Sequence, residues 1–241
     1  MCAVSGGPDS LALLLLAQQA LPGKLVAVTV DHQLRPESAD EAQIVAEICC
    51  NFGIPHVILT PDEKISGNLQ SSARTARYTL LERAADTQNC KHIATAHHAD
   101  DQLETIFLNL LRGTGIEGIY GMSEVRGDII RPLLGFSRAE IVSFMVQNSL
   151  IWREDSSNQK NEYKRNILRN KVFPLLEEGF TEGLKGMDSS FSRLKDTGKA
   201  FFFLYEKWKN EMVIKEGDYQ YLSIKEISKI PGKHSMLYYW L

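Results

Sequence analysis

The 241-residue chain has only four cysteines, at positions 2, 49, 50 and 90. They include no C-x-x-C pair, and four cysteines in a chain of this length do not form a disulfide framework. This shortage excludes a disulfide-stapled secreted domain and makes a reducing, cytoplasmic location the expectation.

Long apolar runs are also missing. The longest, after Ser10, is interrupted by Gln18 and Gln19, so it is too short to cross a bilayer. No basic leader precedes a cleavable apolar segment. We therefore expect no membrane partner.

The chain has no strong excess of one charge. Its 27 Lys and Arg residues against 30 Asp and Glu residues give a formal net charge of -3. This balance argues neither for nor against nucleic acid, because a local basic patch can still bind it. The length and the 44% hydrophobic content fit a globular protein with one large domain and a small appendage.

Strand-like and helix-like segments alternate over roughly the first 135 residues. Strands are predicted at 2–4, 25–31, 55–60 and 92–96, with helices between them at 9–20, 40–53 and 69–86 and another at 99–113. Such alternation is typical of βαβ units and a mostly parallel sheet. The predicted fold class is therefore α/β, a Rossmann-like sheet followed by a small all-α domain.

The pattern changes after this region. Ser137 and Glu140 form a capping box that opens another helix, and the sequence reads as helical from about Phe173 onward. We place a domain boundary near residue 175. The larger domain is 1–175, and 176–241 is expected to be an incomplete helical second domain.

The segment S-G-G-P-D-S joins the first strand to the first helix and consists of Ser5, Gly6, Gly7, Pro8, Asp9 and Ser10. Consecutive glycines let backbone N–H groups point into one concavity, and the helix dipole adds positive potential, which suits phosphate. A carboxylate beside phosphate needs a divalent cation between them, so Asp9 indicates Mg²⁺ and a nucleotide. The lysine of a Walker A loop is absent. A simple turn with a helix cap is the alternative.

A second polar group lies in T-A-H-H-A-D-D-Q-L-E-T, residues 95–105. Projected on a helix that starts at His97, Asp101 falls at about 40° and Glu104 at about -20°, so the three share a face. We expect the apolar residues of the opposite face to pack on the sheet; they are Leu103, Ile106, Phe107 and Leu110. His98 and Asp100 flank the polar stripe, and for Asp100 a solvated first turn is expected.

Two basic groups complete the set. Arg74 and Arg77 are three residues apart on a predicted helix and suit phosphate or carboxylate, with a surface ion pair as the alternative. Residues 160–171 carry a charge of +4 and a tyrosine, which suits phosphates and base stacking. A solvated helix face is the alternative for this patch.

Together and in this order, the motifs resemble the PP-loop family of N-type ATP pyrophosphatases, whose signature S-G-G-x-D-S stands at Ser5–Ser10. Within that family the chain is most similar to the bacterial tRNA(Ile)-lysidine synthetases. Six blocks match in the family's order over about residues 2–175, namely VDHQLRPES, ARTARY, AHHADDQLET, LLRGTG, IIRPLL and REDSSN…RNILR.

The resemblance implies an enzyme that uses ATP and Mg²⁺ to adenylate the C2 carbonyl of the wobble cytidine in tRNA(Ile) with a CAU anticodon. The amine of free L-lysine then displaces AMP and gives lysidine. A homodimer is a further expectation.

The resemblance also implies roles for individual residues. Ser5–Ser10 are expected to bind the triphosphate, and Asp9 and Asp101 are expected to be metal ligands. The reacting centre is expected to involve Asp9, Arg77, His97, Asp101 and Glu104. His32 and Arg112 are expected to contact the nucleotide, and Lys164, Arg165 and Arg169 the tRNA.

Three alternatives remain open at this point. A tRNA thiolase of the same fold needs cysteines close to the loop. A small-molecule ligase of the amidotransferase type shares the loop but lacks the AHHADDQLET block. A non-catalytic nucleotide-binding module would keep the loop without the carboxylates.

Overall fold

The computed structural model describes residues 1–32, 38–61, 69–150, 152 and 164–241. The strands are β1 Cys2–Ala3, β2 Ala27–Val30, β3 His56–Leu59, β4 Ile93–Ala94, β5 Val125–Arg126, β6 Ile129–Ile130, β7 Val213–Glu216 and β8 Tyr219–Leu222. The α-helices are α1 Pro8–Ala20, α2 Ser38–Asn51, α3 Leu69–Thr87, α4 Ala99–Leu110, α5 Arg138–Gln147, α6 Lys164–Ile167, α7 Phe173–Gly179, α8 Gly183–Met212, α9 Ile224–Ile227 and α10 Lys233–Trp240. A 3₁₀ turn covers Ile116–Tyr120, and a π-helical turn covers Leu168–Val172.

The main sheet has six strands in the order β3-β2-β1-β4-β6-β5. All neighbours are parallel except β5, which pairs with β6 in an antiparallel hairpin. The predicted Rossmann-like, mostly parallel sheet is confirmed. The strand order reverses between β1 and β4, and ligands bind at this point in open α/β sheets, beyond the carboxyl ends of the strands.

Helices cover both faces of the sheet. On one face, Leu11 and Leu14 of α1 pack with Val45 of α2 and with Ile141 and Met145 of α5. On the other, a smaller cluster joins α3 to the strands through Leu81, Ala84, Ala85, Val28 and Ile93. These apolar positions recur at helical spacing, and their burial fixes the ends of β1 and β4 next to each other.

The apolar face of α4 was expected to pack on the sheet, but most of it does not. Leu103 and Phe107 belong to a cluster with Leu168 and Phe173, and the rings of Phe107 and Phe173 meet edge to face at 5.2 Å. Leu110 is 42% exposed. The prediction was wrong for Leu103 and Phe107, which helices after residue 164 cover, and for the exposed Leu110; for the buried Ile106 it stays a prediction.

The C-terminal part is mainly helical, as expected, but it includes a β-hairpin. β7 and β8 pair antiparallel on either side of a turn in which Gly217 has a φ of +59°, so the all-α description omitted one element. The boundary near residue 175 stays a prediction, and α7 runs through that position. None of the helices that the structure describes has the length and apolar character needed to span a bilayer.

Candidate active site

The glycine loop after β1 has the geometry that the sequence predicted. Gly6 has a φ of +84°, a conformation that side chains with a Cβ rarely adopt, and Gly7 precedes α1 with Pro8 in its first turn. The Ser10 hydroxyl accepts from the Ser5 backbone N–H (3.1 Å) and donates to the Gly7 carbonyl (3.0 Å). Ser10 is therefore buried inside the loop and shapes it, whereas Ser5 lies on its exposed side.

Asp9 lies in the first turn of α1 with one oxygen unsatisfied. Its Oδ1 is buried and has no hydrogen-bond partner within the described ranges. Burial raises the pKa of Asp9, although the nearby positive charges of His98 and Arg138 oppose the rise. An unpartnered buried carboxylate oxygen beside a glycine loop fits a divalent cation, which prefers oxygen ligands.

His98 is the residue that sequence reasoning passed over. It is only 2% exposed, and its Nε2 lies 3.8 Å from Asp9 Oδ2 and 3.4 Å from Asp101 Oδ2. Burial lowers its pKa, but the carboxylates of Asp100, Asp101 and Asp9 outweigh that effect, so the pKa of His98 is raised. His98 is a buried residue that joins the loop to the start of α4, and its surroundings favour the protonated form.

The helical projection from His97 was wrong in one respect. α4 begins at Ala99 with His98 as its N-cap, so His97 precedes the helix. Its Nδ1 is hydrogen-bonded to the Thr95 hydroxyl at 2.9 Å. Burial lowers the pKa of His97 to about 4, since the nearby Asp101 only partly offsets burial and adjacent arginines add to it. His97 is therefore neutral at pH 7.

Asp101 and Glu104 are held by two arginines from the segment Lys164–Val172. Arg165 bonds to Asp101 Oδ1 at 2.7 Å and also to Glu104 Oε2. Arg169 bonds to Glu104 Oε1 at 2.6 Å and to Asp101 Oδ1 at 3.1 Å. Glu104 is fully buried. These four residues form a charge-balanced group, which we call the carboxylate–arginine cluster.

The cluster leaves Asp101 few free oxygens. Its Oδ1 accepts from both arginines, and its Oδ2 accepts from the His98 backbone N–H at 3.0 Å. Asp100 is engaged as well, because its Oδ1 accepts from the Arg138 backbone N–H at 3.1 Å at the start of α5. Asp9 is therefore the carboxylate that best fits a cation, and Asp101 as a metal ligand stays a prediction.

Comparison with known proteins agrees with this geometry. Residues 1–176 match the family of PP-loop domains. The chain belongs to the PP-loop domain family.

Relatives of this PP-loop protein are named tRNA(Ile)-lysidine synthase. The protein of Orientia tsutsugamushi is 40% identical over 183 residues, which are 72% of this chain and 41% of that protein. The one from Treponema denticola is 33% identical over 226 residues, 89% of this chain and 49% of that protein. The chain thus spans about half the length of the curated relatives it matches.

One solved structure shows the same fold. It is the U34-tRNA thiolase NcsA from Methanococcus maripaludis with its 4Fe–4S cluster, with a TM-score of 0.66 and 17% identity. The alignment covers 81% of this chain and 71% of that one.

Two further predicted site residues, His32 and Arg77, lie near each other. His32 follows β2, and its buried Nδ1 has no partner among the residues described. Burial lowers the pKa of His32, and the charge of half-buried Arg77 lowers it further. Arg77 therefore lies near His32, and its role at the reacting centre and that of His32 at the nucleotide stay predictions.

Arg112 and Lys164 are not drawn into the cluster. Arg112 is exposed just past the end of α4. The rise of the helix separates its backbone from that of His98 by roughly 20 Å. Lys164 is exposed at the start of α6, next to Arg165. Roles for Arg112 at the nucleotide and for Lys164, Arg165 and Arg169 at tRNA stay predictions.

The cysteines of the PP-loop domain are placed for packing. Cys2 and Cys49 belong to the main core, and burial raises the pKa of both thiols to about 11. Cys50 is exposed on the last turn of α2, and Cys90 packs beside the second core cluster. None of the four lies in the glycine loop, so they offer the thiolase alternative no support.

Proposed function

We propose that this chain modifies the wobble cytidine of tRNA(Ile) with a CAU anticodon to lysidine, using ATP and free L-lysine. The observation that carries the proposal is the buried, unpartnered carboxylate oxygen of Asp9, at a glycine loop and opposite His98. The similarity to tRNA(Ile)-lysidine synthases supplies the substrate class.

The glycine loop would hold the phosphates of ATP. Its backbone N–H groups and the start of α1 provide the positive potential, and Asp9 would hold Mg²⁺. That ion neutralises phosphate charge and polarises phosphoryl oxygens when bound. His98 lies 3.8 Å from Asp9 and would hold that carboxylate in place beside the loop.

The reaction needs two displacements because the C2 oxygen of cytidine is a poor leaving group. In the first, the C2 oxygen bonds to the α-phosphorus of ATP, and the bond to the β-phosphate breaks to release pyrophosphate. In the second, the amine nitrogen of lysine bonds to C2 and the C2–O bond breaks, which releases AMP. A proton from the attacking amine leaves with the second step.

The carboxylate–arginine cluster would receive the lysine. Because Arg165 and Arg169 already balance both carboxylates, an arriving ammonium would displace one of these arginines from Asp101, the less buried of the two acids. The ammonium must lose a proton before it attacks. A pKa of about 4 makes His97 a weak base for that step, so the proton would pass to solvent.

The tRNA substrate, a homodimer and a cytoplasmic location belong to the same proposal. Lys164, Arg165 and Arg169 stand on one segment beside the site, where an RNA backbone would approach the reacting centre. Arg77 and His32 would border the adenosine of ATP.

The test combines two measurements on this chain. Pyrophosphate exchange into ATP is measured with and without unmodified tRNA(Ile), followed by transfer of labelled lysine to that tRNA. We expect lysine transfer that requires ATP. The matched control is the same tRNA with the wobble cytidine replaced by uridine, which should accept none. Equal labelling of both tRNAs, or no labelling of either, would overturn the proposal.

A further inference from the structure

A groove of about 710 Å³ lies beside the candidate active site, between α3 and the β5–β6 hairpin. Among the residues that line it are Arg74, Tyr78, Glu82, Arg126, Asp128 and Arg131. Its size is that of a pocket for a nucleotide-sized ligand. Of these residues, only Arg74 was considered above, as an arginine that suits phosphate or carboxylate.

One end of the groove adjoins the reacting centre. Arg131 follows β6 directly, at the carboxyl edge of the sheet, where the Ile130 carbonyl accepts from the Thr95 backbone N–H at 3.0 Å. Arg74 lies early in α3, which also starts at that edge because a crossover helix runs back along the sheet. Both guanidinium groups help to lower the pKa of His97, so both are close to it.

Arg131 is a buried cation with an unsatisfied donor. The residue is 5% exposed, and its Nη1 donates to the Ser123 carbonyl at 2.5 Å. Its buried Nε has no partner among the described residues. A buried guanidinium with a free N–H is unfavourable until an acceptor arrives, and a charged oxygen is the strongest acceptor available.

Arg74 and Tyr78 add a stacking surface to the same groove. The Arg74 guanidinium lies 5.2 Å from the centre of the Tyr78 ring. Stacked arginine and tyrosine side chains are the usual platforms for unpaired RNA bases. Arg126 on β5 contributes a third, exposed guanidinium.

Charge is distributed unevenly along the groove. Glu82 is eight positions beyond Arg74 along α3, and Asp128 precedes β6, so both carboxylates lie toward the amino edge of the sheet. Arg126 lies at that edge too, because it pairs with Ile129 at the start of β6. The charged lining residues at the end next to His97 are Arg74 and Arg131, so that end is positive. An anion entering the groove is drawn toward the reacting centre.

We propose that this groove binds the phosphodiester backbone next to the reacting nucleotide, with Arg74, Arg126 and Arg131 on phosphate oxygens and Tyr78 under a base. The inference rests on the proposed function, because the ligand is taken to be the RNA substrate. It adds a binding surface on the side of α3, away from the segment that carries Lys164.

The test measures binding of a fluorescently labelled anticodon stem-loop RNA with a CAU loop to Arg74→Glu and Arg126→Glu. Both side chains are exposed, so the fold should persist, and thermal unfolding checks this. The control is Lys24→Glu, which makes the same charge change on the exposed α1–β2 loop, outside the groove. We expect each groove variant to bind about tenfold more weakly. The slope of log affinity against log salt should fall by about 0.7 per lost phosphate contact.

Equal affinity and salt slope in the groove variants and Lys24→Glu would overturn the inference, as would absence of RNA binding by the unaltered chain. A raised KM for lysine with unchanged RNA affinity would also overturn it, because the groove would then serve the lysine carboxylate. Binding needs no lysine transfer. Groove-dependent binding without transfer would thus refute the proposed function and leave this inference intact.

Discussion

The glycine loop and the carboxylate–arginine cluster both bury carboxylates at the same edge of the sheet. They differ in whether the carboxylate oxygens have hydrogen-bond partners. Asp9 has a buried oxygen with no partner in the described part of the chain, and burial raises its pKa. Glu104 has both oxygens bonded to arginines. The loop is thus incomplete without a ligand, whereas the cluster satisfies itself.

This difference indicates where the molecule gives up stability for binding. An unpartnered buried carboxylate destabilises the ligand-free protein, and a bound cation reverses that penalty. A buried carboxylate that is paired costs stability when it is removed, because the arginines that paired with it are left without a counter-charge. Substitutions in the two regions should therefore separate activity from stability.

The largest effect is expected for Glu104→Gln. Loss of the charge leaves two arginines beside a neutral, fully buried side chain, and breaking a buried ion pair costs about 3–5 kcal/mol. The free energy of unfolding in urea measures it. The control is Glu226→Gln, because Glu226 pairs with Lys229 at 2.8 Å on an exposed surface, and such pairs contribute about 1 kcal/mol or less. Similar losses for the two variants would contradict the contrast drawn here.

Asp9→Asn should lower activity without lowering stability. We expect pyrophosphate exchange to fall by about 100-fold or more, as when one electrostatic group is removed from an active site. Stability toward urea at pH 7 should be unchanged or higher, because the raised pKa means that the ionised form is disfavoured in the native state. Asp188→Asn, on the exposed side of α8, should alter neither quantity. A marked loss of stability in Asp9→Asn would contradict this prediction, because it would show that the pairing of Asp9 with His98 outweighs the cost of burying the carboxylate.

The smallest effect concerns pH and His98. Its raised native pKa means that its stabilising contribution is fully present below the unfolded value of about 6.5 and is lost as pH rises through the native value. The change should be on the order of 1 kcal/mol, as for a single hydrogen-bonded contact to a charged group. Urea unfolding between pH 6 and 9 measures it, and His98→Asn should flatten that dependence. If the unfolding free energy of His98→Asn depends on pH as steeply as that of the unaltered chain, another group is responsible for the titration.

The fold and the loop could be predicted because both depend on local patterns. Alternating strands and helices gave the parallel sheet, and the two glycines with Asp9 gave the loop. The hairpin β7–β8 was missed, although Glu216, Gly217 and Asp218 form a turn signal between β-branched and aromatic residues.

The cluster could not be predicted because its partners are distant in the sequence. Arg165 and Arg169 lie 61 and 65 positions from Glu104, and sequence alone showed them as a basic patch with no partner. His98 was passed over for a local reason. The projection started the helix at His97, whereas the N-cap one residue later turns His98 inward toward Asp9 and Asp101. The acidic residue three positions after His98 was the available signal.

The central position of β1 has a consequence for how the molecule assembles. β1 pairs with β2 early in the chain, but its other neighbour is β4, through Cys2 and Ala94. Closing such long loops slows folding. About 90 residues separate the glycine loop from His98. At a synthesis rate of about 5–20 residues per second, the loop is therefore made several seconds before the histidine that contacts it.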